Sequence, residues 1–163
     1  MQKAGEVSST RRGGVAQKSE QQLQDAPNGR RSEGKFAGIR VLVIDDERDS
    51  RLVMEMFFRL RGATVRTAPS ASEGRRMLEI FKPHLIVSDI AMPGEDGNQF
   101  LQSIRALPID RGGRTPAIAM TAFAYPEDRR RALESGFNVH LAKPANFEEL
   151  FQAVHDLTAT AES

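Results

Sequence analysis

The stretch Leu85-Ile86-Val87-Ser88-Asp89-Ile90-Ala91-Met92-Pro93-Gly94 constrains this chain more than any other: an apolar run ends in one carboxylate, and a Pro-Gly turn follows. A continuous run of branched apolar residues is the pattern of a strand buried on both faces, as in parallel sheets covered by helices. Met92-Pro93-Gly94 then takes the chain out of the sheet, because proline has no amide to donate and glycine accepts unusual dihedrals. Asp89 therefore stands where a central strand leaves the core. An ionised carboxylate there is costly unless something cationic meets it. Taken alone, Asp89 reads equally well as the cap of a turn.

Other strand ends argue for more. Arg40 to Ile44 is a buried strand that ends in Asp45-Asp46-Glu47. Pro116 to Ala122 is a fourth strand with Thr121 at its exit, and Asn138 to Ala142 is a fifth, closed by Lys143-Pro144. Thr64 to Thr67 is a short second strand. Helices fill the gaps. The first has Asp49 or Ser50 as its cap, Leu52, Val53, Met56, Phe57 and Leu60 as its apolar stripe, and Gly62 as its stop. The second opens at Ser70, with Glu73 at capping-box spacing and Met77, Leu78 and Phe81 inward. The third carries Phe100, Leu101, Ile104 and Leu107. The fourth starts at Pro126-Glu127-Asp128 and stops at Ser135-Gly136, and the last runs from Asn146 with Phe147, Leu150, Phe151, Val154 and Leu157 as its core face.

Strand–helix alternation of this kind means an α/β fold, a doubly wound five-stranded parallel sheet with five helices on its two faces. Right-handed crossovers put every strand's carboxyl end on one edge, where ligands of such sheets bind. Asp45, Asp46, Asp89, Thr121 and Lys143 all fall there. That concentration of polar residues on one rim is the functional signal.

Residues 1–37 are rich in Gln, Ser, Gly, Arg and Lys and bury too little to order themselves, so they are expected to form a disordered N-terminal tail. Residues 38–158 form the domain and 159–163 a short C-terminal tail. Residues 1–38 carry seven Lys/Arg against four Asp/Glu, the rest sixteen against eighteen; neither balance indicates a nucleic-acid-binding face. No apolar stretch is long enough to span a bilayer, and no signal-peptide core precedes the domain. The chain has no cysteine, which excludes disulfides and thiolate metal sites and fits a cytoplasmic protein.

Three carboxylates in a small space repel one another, so one protonates unless a cation binds. Oxygen ligands without His or Cys suit Mg²⁺ or Mn²⁺. A carboxylate nucleophile, a divalent ion, an ammonium and a hydroxyl together make a phosphoryl-transfer site. Asp89 is the candidate nucleophile. Asp45 and Asp46 are the candidate metal ligands, with the Ala91 carbonyl.

The acidic pair Asp45-Asp46, Asp89 followed by Met92-Pro93-Gly94 and Asp96-Gly97, then Thr121-Ala122 and Lys143-Pro144, stand in the order and spacing of a receiver domain of the two-component response-regulator family. Residues 39–157 resemble that family, in particular receivers attached to hybrid histidine kinases. The resemblance implies a flavodoxin-like (βα)5 fold with strand order 2-1-3-4-5. It implies that Asp89 takes a phosphoryl group from a sensor histidine kinase or a histidine phosphotransfer protein. Mg²⁺ would be held by Asp46, Asp89 and the Ala91 carbonyl, with Asp45 assisting, while Lys143 and Thr121 bind phosphoryl oxygens and Lys143-Pro144 is cis. The domain would be a phosphoacceptor, not an enzyme, catalysing only its own phosphorylation and dephosphorylation. Thr121 would be coupled to the switch position on the fifth strand, here His140; an uninvolved surface His140 is the alternative. His84 and His155 read as surface residues. Arg129-Arg130-Arg131 reads as a solvated helical face or as part of a downstream protein-binding face formed by helix four, strand five and helix five.

An aspartate-nucleophile phosphatase needs Asp-x-Asp-x-Thr after the first strand, and Asp45-Asp46-Glu47-Arg48-Asp49 has no Thr. A flavin or nucleotide carrier needs a Gly-rich or hydroxyl-rich phosphate loop there, and this loop is acidic. Only a short Thr/Ala/Glu/Ser stretch follows the last helix, so no output domain is expected within these residues. A switch that binds another protein when phosphorylated, a phosphate sink or relay intermediate, and a non-phosphorylated interaction module all remain open.

Overall fold

The computed structural model describes residues 34–160. Most of the expected N-terminal tail, residues 1–33, and the last three residues lie outside this range. Five strands, β1 (Arg40–Ile44), β2 (Thr64–Ala68), β3 (Leu85–Asp89), β4 (Ala117–Thr121) and β5 (Val139–Ala142), alternate with five helices, α1 (Arg48–Arg59), α2 (Ala71–Phe81), α3 (Gly97–Arg105), α4 (Pro126–Ser135) and α5 (Phe147–Ala159). All strand pairs are parallel, in the order β2-β1-β3-β4-β5. β3 and β4 are buried along their whole length, as their unbroken apolar runs require, while β2 and β5 at the edges are partly exposed.

Strand alternation sorts the core into two faces. Val41, Val43, Leu85, Val87, Ile118 and Met120 pack against α1 and α5. Leu42, Ile44, Ile86, Ala117 and Ala119 pack against α2, α3 and α4. Three helices start where side-chain caps were expected or where the chemistry allows one. Ser70 accepts from the Glu73 amide, and Asn146 from those of Glu148 and Glu149. Asp96 and Gln99 exchange bonds in a complete capping box.

Helix α1 departs from expectation in two ways. Its N-cap is Glu47, which makes no side-chain cap bond, and Asp49 and Ser50 lie inside the helix. The chain is already turned upstream, because Asp45 Oδ1 accepts from the Glu47 amide at 2.9 Å and Arg51 Nη1 donates to the Asp45 and Asp46 carbonyls. The buried face is also different. Met54, Phe57 and Phe58 face the sheet, whereas Leu52, Val53, Met56 and Leu60 are 45%, 46%, 62% and 79% exposed. Apolar residues surround most of this helix, so the 3.6-residue period alone does not choose a face.

The fold also begins earlier and ends later than expected. Phe36, assigned by composition to the tail, is 1% exposed and lies against Phe58 and Phe151, with ring centroids 6.1 and 5.2 Å away. Its amide donates to the Arg61 carbonyl at 2.8 Å, tying the segment to the end of α1. Ala159, placed in the C-terminal tail, closes α5. Among the described residues no helix is long and apolar enough to cross a membrane.

Candidate functional site

Because every strand is parallel, the carboxyl ends of β1, β3, β4 and β5 share one edge, and the rim residues meet there. Asp45, Asp89 and Lys143 continue the alternation that points Val43, Val87 and Leu141 toward α1 and α5. They meet in a salt-bridged cluster: Lys143 Nζ lies 2.7 Å from Asp45 Oδ2 and 3.2 Å from Asp89 Oδ2. Asp45 and Asp89 are buried and Asp46 is exposed, and one carboxylate oxygen from each lies within 4.8 Å of the others. The Ala91 amide donates to Asp89 Oδ1 at 3.2 Å. The peptide between Lys143 and Pro144 is cis, as the resemblance implies.

Burial pushes the Asp89 carboxyl above its ordinary pKa; the Lys143 charge opposes this and Asp45 reinforces it. Burial also works against the Lys143 ammonium, but its hydrogen bond to Asp45 and the charges of Asp89 and Asp45 outweigh that and hold its pKa above the usual lysine value. One ammonium among three carboxylates leaves the cluster short of positive charge. An all-oxygen donor set with an excess of negative charge fits a hard divalent cation. The cluster opens into an apolar cavity of about 750 Å³ bounded by Val53, Met54, Ala122 and Phe147.

Thr121 is buried at the end of β4, and its Oγ1 accepts from the Phe123 amide at 3.1 Å. It lines a smaller cavity of about 130 Å³ together with Ala91. Ala119 pairs with His140 in the β4–β5 register and Thr121 with Ala142, so Thr121 and His140 share a sheet face two residues apart. His140 does not reach the acid cluster. It lines a groove with Arg129, Arg130 and Leu133 of α4.

The His140 Nε2 is buried and has no hydrogen-bond partner among the described residues. Burial, and then the Arg129 charge, lower its pKa below the ordinary 6.5, with Asp128 opposing. Burial followed by Arg40 lowers that of His84, whose Nδ1 accepts from the Arg40 amide at 2.9 Å. A histidine with a depressed folded-state pKa contributes stability that is complete above the unfolded value and is lost as pH falls toward the folded one. The urea midpoint is therefore expected to drop as pH falls through and below the ordinary histidine value of about 6.5, and to drop less in His140→Phe. Equal drops in the two proteins would remove His140 from the pH response.

Two groups of residues around the site are not flagged by motif or period. Arg51 grips the backbone beneath the acidic pair, as described above. Arg75 of α2 pairs with Glu95 in the loop after β3. Both look like ordinary solvated helix charges in the sequence, and only the approach of distant segments gives them partners.

The response regulator receiver domain family matches residues 41–155. The chain is 44% identical over 119 residues to an uncharacterized 14.6 kDa protein of Leptolyngbya boryana, covering 73% of this chain and 89% of that one. It is 30% identical over 139 residues to hybrid signal transduction histidine kinase D of Dictyostelium discoideum; that match covers 79% of this chain and spans 9% of the kinase's length. Among solved structures it is similar to the receiver domain of a sensor histidine kinase from Pseudomonas aeruginosa, described with a magnesium ion coordinated in its active-site cleft. The TM-score is 0.68 and the identity 31%, over 76% of this chain and 99% of that one. Strand order, rim and relatives agree, and the chain belongs to the response regulator receiver domains of two-component systems.

Proposed function

We propose that Asp89 is the phosphoacceptor, and that it takes its phosphoryl group from the phosphohistidine of a histidine kinase or a histidine phosphotransfer protein. The convergence of three carboxylates on Lys143 at the carboxyl edge supports this most directly. An Asp89 carboxylate oxygen attacks phosphorus, a P–O bond forms as the P–N bond breaks, and the imidazole leaves and takes up a proton. Asp46, Asp89 and the Ala91 carbonyl, with Asp45 assisting, would hold Mg²⁺ (Mn²⁺ has the same ligand preference), which offsets negative charge on the phosphoryl oxygens.

Lys143 already stands within 3.2 Å of an Asp89 oxygen, so its ammonium is placed to meet a phosphoryl oxygen without a large movement. The Thr121 hydroxyl accepts from Phe123 and keeps its own proton to donate. Turning that proton toward the phosphoryl group draws on the loop after β4, and His140 on the same face adjusts to the room left behind. The change then reaches the face of α4, β5 and α5, where exposed Leu133 lies beside His140, and alters binding of a downstream protein. The same residues catalyse hydrolysis of the phosphoaspartate.

Intact mass after incubation with acetyl phosphate and Mg²⁺ tests this. The wild type is expected to gain one phosphoryl group, while Asp89→Asn and the wild type with chelator gain none. Asp89→Asn is expected to fold normally, since burial already disfavours the Asp89 charge. An unchanged wild-type mass together with no Mg²⁺ binding by calorimetry overturns the assignment.

A further inference from the structure

The loop that follows Asp89 carries the Ala91 amide and carbonyl and ends at Asp96, the N-cap of α3. Backbone bonds close the loop at its base: the Met92 amide from its start and the Gly97 amide from just past its end both donate to the Ile90 carbonyl, at 3.0 and 2.8 Å. Between these points the loop is also gripped from another element, at Glu95. Arg75 of α2 forks onto the Glu95 carboxylate, with Nη1 at 2.8 Å from Oε2 and Nη2 on Oε1. The same guanidinium donates to Ser103 Oγ of α3 through Nε at 3.1 Å and Nη2 at 2.9 Å, and Ser103 Oγ donates to the Phe100 carbonyl at 2.6 Å. The guanidinium also lies 5.6 Å from the Phe100 ring centroid.

An exposed ion pair held at one point contributes little. This one is only about a third exposed, at 37% and 33%, and its cation is locked by a fork, a hydroxyl and a ring. Such a forked arginine fixes geometry as well as charge. Glu95 is four residues from Ala91, so the clamp limits how far that peptide moves.

We propose that Arg75 is a positioning residue for the acid site, gripping Glu95 so that the loop presents Ala91 in the geometry the cation and the phosphoryl group require. The proposal rests on the phosphoacceptor assignment. Two readouts test it. In metal-free protein, hydrogen exchange at the Ala91, Met92 and Gly97 amides is expected to accelerate in Arg75→Met and Glu95→Gln. By calorimetry, the Mg²⁺ Kd is expected to rise roughly tenfold in the same variants, as it does when groups supporting metal ligands are removed, with Arg75→Lys intermediate because lysine lacks the fork.

Arg111→Ala is the control. It breaks the 2.6 Å pair between Arg111 and Glu79 at the opposite edge, and it is expected to leave both readouts unchanged. Exchange and Kd within about twofold of wild type in Arg75→Met and Glu95→Gln overturn the proposal, as do changes of equal size in Arg111→Ala. A wild type that binds no Mg²⁺ and takes no phosphoryl group overturns the underlying assignment and this proposal with it. A wild type that does both, with variants that match it, overturns the clamp alone.

Discussion

Gly97→Ala is expected to unfold well below the wild type and to take up phosphoryl groups from acetyl phosphate at less than about a tenth of its rate. A Cβ at this position would lie 2.3 Å from the Asp89 carbonyl oxygen and 2.8 Å from Ile90 Cα. Both atoms are backbone, so no side chain turns aside to relieve the clash. Overpacking in a core typically costs about 1–3 kcal/mol, and a clash with rigid backbone belongs at the upper end. For a domain of this size that corresponds to a fall in Tm of roughly 10 °C. The carbonyl that must move belongs to the proposed phosphoacceptor itself, so stability and phosphorylation fall together.

Gly94→Ala in the same loop separates clash from backbone strain. Gly94 has φ of 77°, yet nothing lies within 4 Å of its would-be Cβ. Its substitution carries only the left-handed penalty, about 1–2 kcal/mol. If thermal melts place Gly97→Ala within about 2 °C of wild type, or show Gly94→Ala as the worse of the two, the close approach of α3 to Asp89 does not restrict this position.

Phe36→Ala carries the second large effect, and the two properties diverge in it. Its ring fills the space between Phe58 and Phe151 on the α1–α5 face, and truncating a buried phenylalanine costs about 3–5 kcal/mol. The residue precedes β1, whereas the acid cluster follows the strands' carboxyl ends, so the strand length separates the two. Stability measured by urea denaturation is expected to drop by that amount, while Mg²⁺ affinity and the acetyl phosphate rate stay at wild-type levels under folding conditions. Lys35→Ala, at an exposed neighbour, is expected to change neither. A stability loss under about 1 kcal/mol in Phe36→Ala would mean that the segment before β1 lies loosely on the core.

Phe36 also marks where reading the chain in one dimension reaches its limit. It is a single aromatic in a polar, Gly- and Arg-containing stretch, with no period to announce it. Its burial depends on Phe58 and Phe151, residues from two helices far along the chain. Helix α1 shows the same limit in another form. Its apolar residues run round most of its circumference, and the choice of Met54, Phe57 and Phe58 over Leu52, Val53, Met56 and Leu60 was made by the aromatic cluster it packs against. Arg75 and Arg51 were illegible for a related reason, since a charged helix residue has the same local pattern whether it faces water or clamps a loop.

What the sequence determined by itself was the set of elements and the residues at their ends. Unbroken apolar runs specify buried parallel strands, and a carboxylate, hydroxyl or lysine immediately after such a run is carried to the sheet edge whatever its partners are. Asp45, Asp46, Asp89, Thr121 and Lys143 were legible because strand direction alone places them. What only the tertiary structure decided was which of them touch and what surrounds them. Lys143 meets Asp45 across 98 residues of chain, the Thr121 hydroxyl is taken by Phe123, and His140 faces α4 instead of the acids. Local pattern records the direction in which a side chain leaves the backbone; contact depends on the register of strands and the rotation of helices, which are settled by packing the whole core at once.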